Sequence, residues 1–300
     1  MTTIDSPKAK YELKEQIGTG SSCIVYRAIS KDGKEYAVKI IKLEKDADPT
    51  LVKDKFDTAL MHEFYDEAEC IYNEIMMTKR LKHHNIIEIY DSFVTDKEVW
   101  IIMELETNSC LSIIKSLHPS GIKNEVLIAT ILKYTLLAIE YCHLHDQIHR
   151  DIKAANILIN KSGVVKLADF GAGALLVHDG IKDATRTSFI GTPCWMAPEI
   201  FLKTGYTNKI DIWSFGVTIL ELAFGRVPFC FLEKVTKLDD KADPFSCYKD
   251  QKNTFSKCFI DIVLKCLHHN PEDRPTAKEL LGHKFFKQAR DEKYILDNII

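Results

Sequence analysis

The sequence has no CxxC pair, no apolar leader, no long uninterrupted hydrophobic run and no basic excess. Its 9 cysteines are an odd, scattered set, which argues against a zinc ribbon and against a disulfide framework. Met1 to Lys10 is polar and no apolar segment follows, so no secretory leader is expected. The longest apolar stretch, Ile212 to Phe224, is interrupted by Ser214, Thr218 and Glu221, so no membrane span is expected. Formal net charge is -3, whereas a surface that neutralises nucleic-acid phosphates leaves a basic excess; no nucleic-acid partner is expected. There is no internal repeat and no low-complexity tract. A reducing compartment, cytosolic or nuclear, is the simplest reading, and cytoplasmic location is the expectation.

What is present is ordinary in bulk and specific in order. The 300 residues are 46% hydrophobic and 28% charged, enough to bury a large core as two domains or as one bilobed enzyme. The first third reads as strands: Tyr11–Ile17, Ile24–Ser30 and Glu35–Leu43, separated by turn signals at Gly18–Ser22 and Lys31–Gly33. Within 51–82, apolar residues at helical spacing (Ile71, Ile75, Met76, Leu81) predict a long helix ending near Lys82. Two more strand-like runs follow, Ile86–Phe93 and Val99–Leu105. Beyond residue 110 the pattern is helical, with an apolar stripe over Ile128–His143 and a buried helix over Ile212–Phe224. Ile157–Ile159 and Val164–Leu167 read as a small hairpin turning at Lys161–Gly163. Residues 231–256 read as an irregular surface connection. A β-rich first lobe and a helical second lobe make an α+β arrangement.

The motifs carry the chemistry. Gly18 and Gly20 lie between two strand runs, where glycine lets backbone N–H groups approach phosphates; a third glycine is missing, with Cys23 in its place. The strand-to-strand setting speaks against a dinucleotide-binding turn. Lys39, flanked by apolar residues on a strand, calls for an acidic partner. Glu74 on the following helix is the candidate, with Glu67 and Glu69 as rivals, and such a pair aims the lysine at the α- and β-phosphates. The strongest signal is His149-Arg150-Asp151-Ile152-Lys153-Ala154-Ala155-Asn156, a loop between a long helix and a short strand. Asp151 can orient a hydroxyl and accept its proton, and Lys153 can neutralise a γ-phosphate. Asn156, with Asp169 of Asp169-Phe170-Gly171, offers the oxygen ligands that Mg²⁺ favours. Gly191–Glu199, Asp211–Gly216 and Arg274 complete the order. Buried, Glu199 and Arg274 would form an ion pair bracing the helical lobe. About a dozen residues in one order, each with roughly a one-in-twenty chance of matching, exclude coincidence.

This set resembles the protein-kinase signature over about residues 11–290. The resemblance implies a bilobal fold, with a small antiparallel N-lobe sheet over 11–105 that carries one main helix, and a larger helical C-lobe over 106–290. It implies ATP and Mg²⁺ as cofactors, and a protein substrate bound on the helical lobe. The glycine loop (Ile17, Gly18, Gly20), Val25, Ala37, Lys39, Met103 at the gatekeeper position, Glu104 and Leu105 in the hinge, and Leu158 are the ATP-binding positions it implies. Lys153 after Asp151, with Thr192 before the Ala-Pro-Glu motif, looks serine/threonine-specific.

A narrower match is similar to the sterile-twenty-like kinases: Gln147–Asp151, Phe189–Glu199, Asp211–Gly216 and His283–Phe286. Within that group it is most similar to the Fray branch, which holds the oxidative-stress-responsive kinase and SPAK. The branch implies an upstream activating kinase, a scaffold partner and signalling in stress or ion homeostasis. It also implies an activating phosphate on Ser188, with Thr187 as rival. Three departures stand against it: the C-terminal docking domain usual in that branch is not expected here, the segment before Glu74 is longer with a shorter one after Pro228, and Thr107–Cys110 lacks the glycine pair that usually follows the hinge. Cys23 can be a reactive thiol over the phosphates or inert packing. His83 and His84 cap or pack beside the helix and suggest no metal site. Two other readings remain: a pseudokinase-like scaffold that binds nucleotide without efficient transfer, and a small-molecule kinase. Lys39, Asp151, Asn156 and Asp169 weigh against the first, and the Gly191–Glu199 segment against the second.

Overall fold

The structure, a computed structural model, describes residues 7–19, 23–42, 71, 75–76, 78–95, 98–175, 177–178, 181–182, 190–228, 244–248 and 254–299. The chain divides into two compact units, residues 1–82 with 87–106, and residues 83–86 with 107–300.

The first unit is a five-stranded antiparallel sheet of β1 (Tyr11–Thr19), β2 (Cys23–Ser30), β3 (Glu35–Lys42), β4 (Ile89–Thr95) and β5 (Glu98–Met103), in the order β1-β2-β3-β5-β4. Side chains alternate between the faces of a strand, so each face has its own cluster. One face packs Ala28, Val38, Ile40, Trp100 and Ile102 with the rings of Tyr11, Tyr26, Tyr36 and Phe93. The other packs Ile41, Ile89, Val99 and Ile101 against Ile71 and Ile75. The β2–β3 turn needs Gly33, whose φ of 81° lies in the left-handed region.

Two strand expectations shift. Over Ile86–Phe93 the ladder begins at Ile89, and Ile86 instead forms a parallel bridge to Leu167 in the second unit. Both isoleucines are buried, so apolar pattern alone could not show that they serve different cores. Over Val99–Leu105 the strand ends at Met103. Of the helix expected within 51–82, residues 71, 75–76 and 78–80 are helical, and the remainder up to Met77 lies outside the described residues.

The second unit is built around two helices. Glu125–Leu144 is capped by Asn124, whose Oδ1 accepts from the N–H groups of Val126 and Leu127. By length and hydropathy it could cross a membrane, and it, rather than 212–224, is the one such helix among the described residues. Here its apolar positions from Leu127 to Ile139, apart from half-buried Leu137, are buried inside the unit. Each such Leu or Ile contributes about 1.5–3 kcal/mol. Lys209–Phe224 is buried on nearly every side and stops at Gly225, where φ is 70° and a Cβ would meet the Pro119 carbonyl oxygen at 2.6 Å. Helices Cys110–Leu117, Lys257–Cys266, Ala277–Leu281 and Glu292–Ile299 surround this pair. The expected hairpin is present as β8 (Ile157–Ile159) and β9 (Val165–Leu167), with β6 (Asn108–Ser109) beside β8. Within 231–256, the described Phe245 and Tyr248 are buried against Phe224, so that segment is partly core. His84 Nε2 lies 2.8 Å from Glu292, an acidic partner that sequence reading had not supplied.

Candidate active site

β7 (Gln147–Ile148) pairs with β10 (Ala174–Leu175), and the loop after β7 carries His149, Arg150 and Asp151, all buried. Arg150 has a φ of 66°, outside the usual range for its residue type, so the surroundings must hold the loop. Asp211, in the first turn of Lys209–Phe224, does so: its carboxylate accepts from His149 N at 2.9 Å and Arg150 N at 2.8 Å, and His143 Nε2 lies 2.8 Å away. Asp211 is fully buried, which by itself would raise its pKa, but the bond from His143 and the charges and donors around it hold it below the usual carboxylate value. His149 Nε2 faces the Ala168 carbonyl at 3.1 Å, so Nε2 carries the proton and Nδ1 accepts from Asp151 N.

Asp151 stands in a network of four side chains. Lys153 Nζ donates to Asp151 Oδ2 at 2.7 Å and to Thr192 Oγ1 at 2.7 Å, while the Thr192 hydroxyl donates to Asp151 Oδ1 at 2.5 Å. Asn156 Nδ2 donates to the Asp151 carbonyl at 2.8 Å and to Oδ2 at 3.0 Å. Those bonds orient the Asn156 amide and leave its oxygen as the atom to meet a cation. Ala168 N donates to the Asn156 carbonyl at 2.9 Å, which ties the residue before Asp169 to Asn156. Asp169 itself is left-handed, at φ 65° and ψ 72°. An amide oxygen and a carboxylate are both donors of the kind that suits Mg²⁺, a hard cation that takes oxygen ligands.

Residues 172–173 and 191–199 are fastened to the same loop. Arg150 donates to the carbonyls of Ala172 and Gly173 and to the Tyr206 hydroxyl. Gly191 passes so close that a Cβ there would meet the Arg150 carbonyl oxygen at 2.6 Å. Glu199 and Arg274 form a buried two-pronged ion pair at 2.6 and 2.9 Å, with Arg274 also lying over the Trp213 ring.

In the first unit, cross-strand pairing sets Gly18 opposite Val25, Val25 opposite Lys39, and Ala37 opposite Met103. These five positions therefore share one sheet face, the one that Ile71 and Ile75 cover in part. Cys23 lies on it too and packs against that cluster. Ile17 is exposed on β1, and Glu104 N donates to the Glu88 carbonyl, so that donor is not available to a ligand. Leu158 lies in the second unit, on β8, half-buried between Ser109 and Lys166. Gly20, Glu74 with its rivals Glu67 and Glu69, and Ser188 with Thr187 lie outside the described residues.

Glu221 belongs to no motif in the sequence. It is buried on Lys209–Phe224, and its Oε2 accepts from Ala154 N at 2.8 Å and Trp195 Nε1 at 3.1 Å. Burial raises its pKa, partly offset by those two donors.

A two-unit fold with this loop, followed in sequence by Asp169-Phe170-Gly171, is that of a protein kinase. The family model described as protein kinase domain matches residues 11–286, and the chain belongs to that family. It is 41% identical over 295 residues to serine/threonine-protein kinase fray2 of Dictyostelium discoideum, covering 97% of this chain and 27% of that protein. Germinal center kinase 3 of Caenorhabditis elegans is 37% identical over 97% of this chain and 49% of its own length. Serine/threonine-protein kinase ppk11 of Schizosaccharomyces pombe is 38% identical over 94% of this chain and 83% of its own. These relatives place the chain among the sterile-twenty-like serine/threonine kinases, in agreement with its motifs. The chain spans half or less of the first two relatives.

Proposed function

We propose that this chain is a catalytically competent serine/threonine protein kinase domain over about residues 11–290, with an N-lobe over 11–105 and a C-lobe over 106–290. The observation that carries the proposal is the closed set of bonds among Asp151, Lys153, Asn156 and Thr192. Asp151 orients the substrate hydroxyl and accepts its proton, and Lys153 meets the charge of the γ-phosphate. Asn156 and Asp169 would hold Mg²⁺, which when bound would neutralise charge on the β- and γ-phosphates. Lys39, paired with Glu74, positions the α- and β-phosphates of ATP. Ile17, Gly18, Gly20, Val25, Ala37, Met103, Glu104, Leu105 and Leu158 bind the nucleotide, with Glu104 contributing through groups other than its N–H. Positioning and charge stabilisation supply most of the rate.

The finer assignments rest on the likeness to Fray proteins: activation by an upstream kinase at Ser188, a scaffold partner, and a place in stress or ion-homeostasis signalling. Cytoplasmic location accords with the odd, scattered set of cysteines. The test is transfer of labelled γ-phosphate from Mg-ATP to a generic Ser/Thr peptide, beside Asp151→Ala. Transfer lost in that variant supports the proposal. Nucleotide binding without transfer, even after treatment with an upstream kinase and with Ser188→Asp, would instead favour the regulatory scaffold.

A further inference from the structure

The helix Lys209–Phe224 ends beside the catalytic loop, where Glu221 bonds to Ala154 N. Just past it, Gly225 runs so close to Pro119 that a Cβ would meet its carbonyl oxygen at 2.6 Å. Pro119 follows the helix Cys110–Leu117, which packs against both Ala154–Asn156 and Lys209–Phe224. These contacts bring two cations that are far apart in sequence, Lys115 and Arg226, to one rim of the second unit. Lys115 is close enough for its charge, like that of Lys153, to act on Glu221. Arg226 is held in place: its Nη2 donates to the Cys247 carbonyl at 3.0 Å, and its guanidinium lies over the Tyr248 ring, which stacks on Phe224.

Both cations are exposed, and neither has a carboxylate partner among the described residues. The nearest carboxylates are engaged elsewhere. Glu221 is buried on Ala154 and Trp195, and Glu125 accepts from Ser256 N and Oγ. Lys123 adds positive charge from below, with its ammonium on the carbonyls of Ser120 and Ala223. The whole chain carries a net charge of -3, so this rim does not reflect a general basic excess. From Glu221 to Arg226 is five residues, about 8 Å at a helical rise, the span of roughly two to three residues of an extended peptide.

We infer that Lys115 and Arg226 select substrate peptides with acidic side chains within about three positions of the hydroxyl that is phosphorylated. The inference deepens the kinase reading above and rests on it. Unpaired surface cations attract a carboxylate and repel a lysine or arginine, so they discriminate in both directions.

The experiment uses the chain with Mg-ATP and three peptides that differ only in the residues flanking the acceptor: glutamate, glutamine or lysine. At low salt the KM for the glutamate peptide should lie about tenfold below that for the lysine peptide, two exposed ion pairs contributing about two- to fivefold each. The gap should narrow at high salt, because the charges are exposed. Lys115→Glu with Arg226→Glu should reverse the order and leave the glutamine peptide unaffected. Arg226→Gln, which keeps a donor for the Cys247 carbonyl, should remove part of the gap. An order that survives charge reversal, or equal losses on all three peptides, overturns the inference while the kinase reading stands. A wild-type chain that phosphorylates none of the three, even after treatment with an upstream kinase, overturns the kinase reading and this inference with it.

Discussion

The Thr192 hydroxyl donates to Asp151 Oδ1 at 2.5 Å while accepting from Lys153 Nζ at 2.7 Å, so one hydroxyl joins the proposed base to the proposed phosphate-binding lysine. Thr192→Val keeps the shape and removes both bonds. Peptide phosphorylation should fall by about 10–100-fold, the range for hydrogen bonds to charged groups. Thr192→Ser should retain most of the activity. Equal loss in both variants would show that the methyl group, rather than the hydroxyl, is what matters.

Arg274 and Glu199 are both buried and bonded at two points. Arg274→Ala leaves an unpaired carboxylate in the core and should destabilise the fold by about 3–5 kcal/mol. Replacing both residues with apolar ones of similar size (Glu199→Leu with Arg274→Met) should recover much of that loss. Urea denaturation midpoints report the difference.

His83 packs at 4.9 Å from the Tyr141 ring, and its Nδ1 accepts from Asn85 N at 3.0 Å. Burial lowers its pKa, with the neighbouring charges of His84 and Lys166 acting in the same direction. A histidine with a lowered folded pKa contributes stability that is present above its unfolded value, about 6.5, and is lost as pH falls through the folded value. Protonation also removes the Nδ1 acceptor. The urea midpoint of the wild type should therefore fall between pH 7 and pH 5 by more than that of His83→Gln. Parallel curves would exclude His83 as the source.

Gly121 and Gly33 both have positive φ, but a Cβ at Gly121 would lie 2.2 Å from the Ala223 carbonyl oxygen, whereas nothing lies within 4 Å at Gly33. Gly33→Ala should lose about 1–3 kcal/mol from backbone strain alone. Gly121→Ala should lose clearly more, because its Cβ meets backbone that cannot turn aside. Thermal unfolding of the two variants compares them directly.

The residues proposed to react stand out in the sequence because the chemistry demands particular types. A base, a phosphate-neutralising lysine and two oxygen ligands leave few substitutes, so His149–Asn156 and Asp169 stand out in any reading. The longer strands were legible from alternation, except where Ile86 left the sheet for Leu167, whereas the two-residue strands β6, β7 and β10 were not. The supports were not legible. Nothing about Glu221 in an apolar stretch announces that it will meet Ala154 and Trp195, and Tyr206 has no local mark that pairs it with Arg150.

The sequence by itself determined the order of elements, the antiparallel first unit, the helical second unit and which residue types stand in the loop His149–Asn156. These depend on local periodicity, turn chemistry and residue type, all of which act over a few positions. Only the tertiary structure decided that Asp211 and Glu221 would brace the catalytic loop, that Thr192 would meet Asp151 and Lys153, and that Glu199 would find Arg274. Those partners are tens of residues apart. Which buried polar group meets which is settled by how the helices pack, since a buried charge is tolerated only where packing happens to bring its partner.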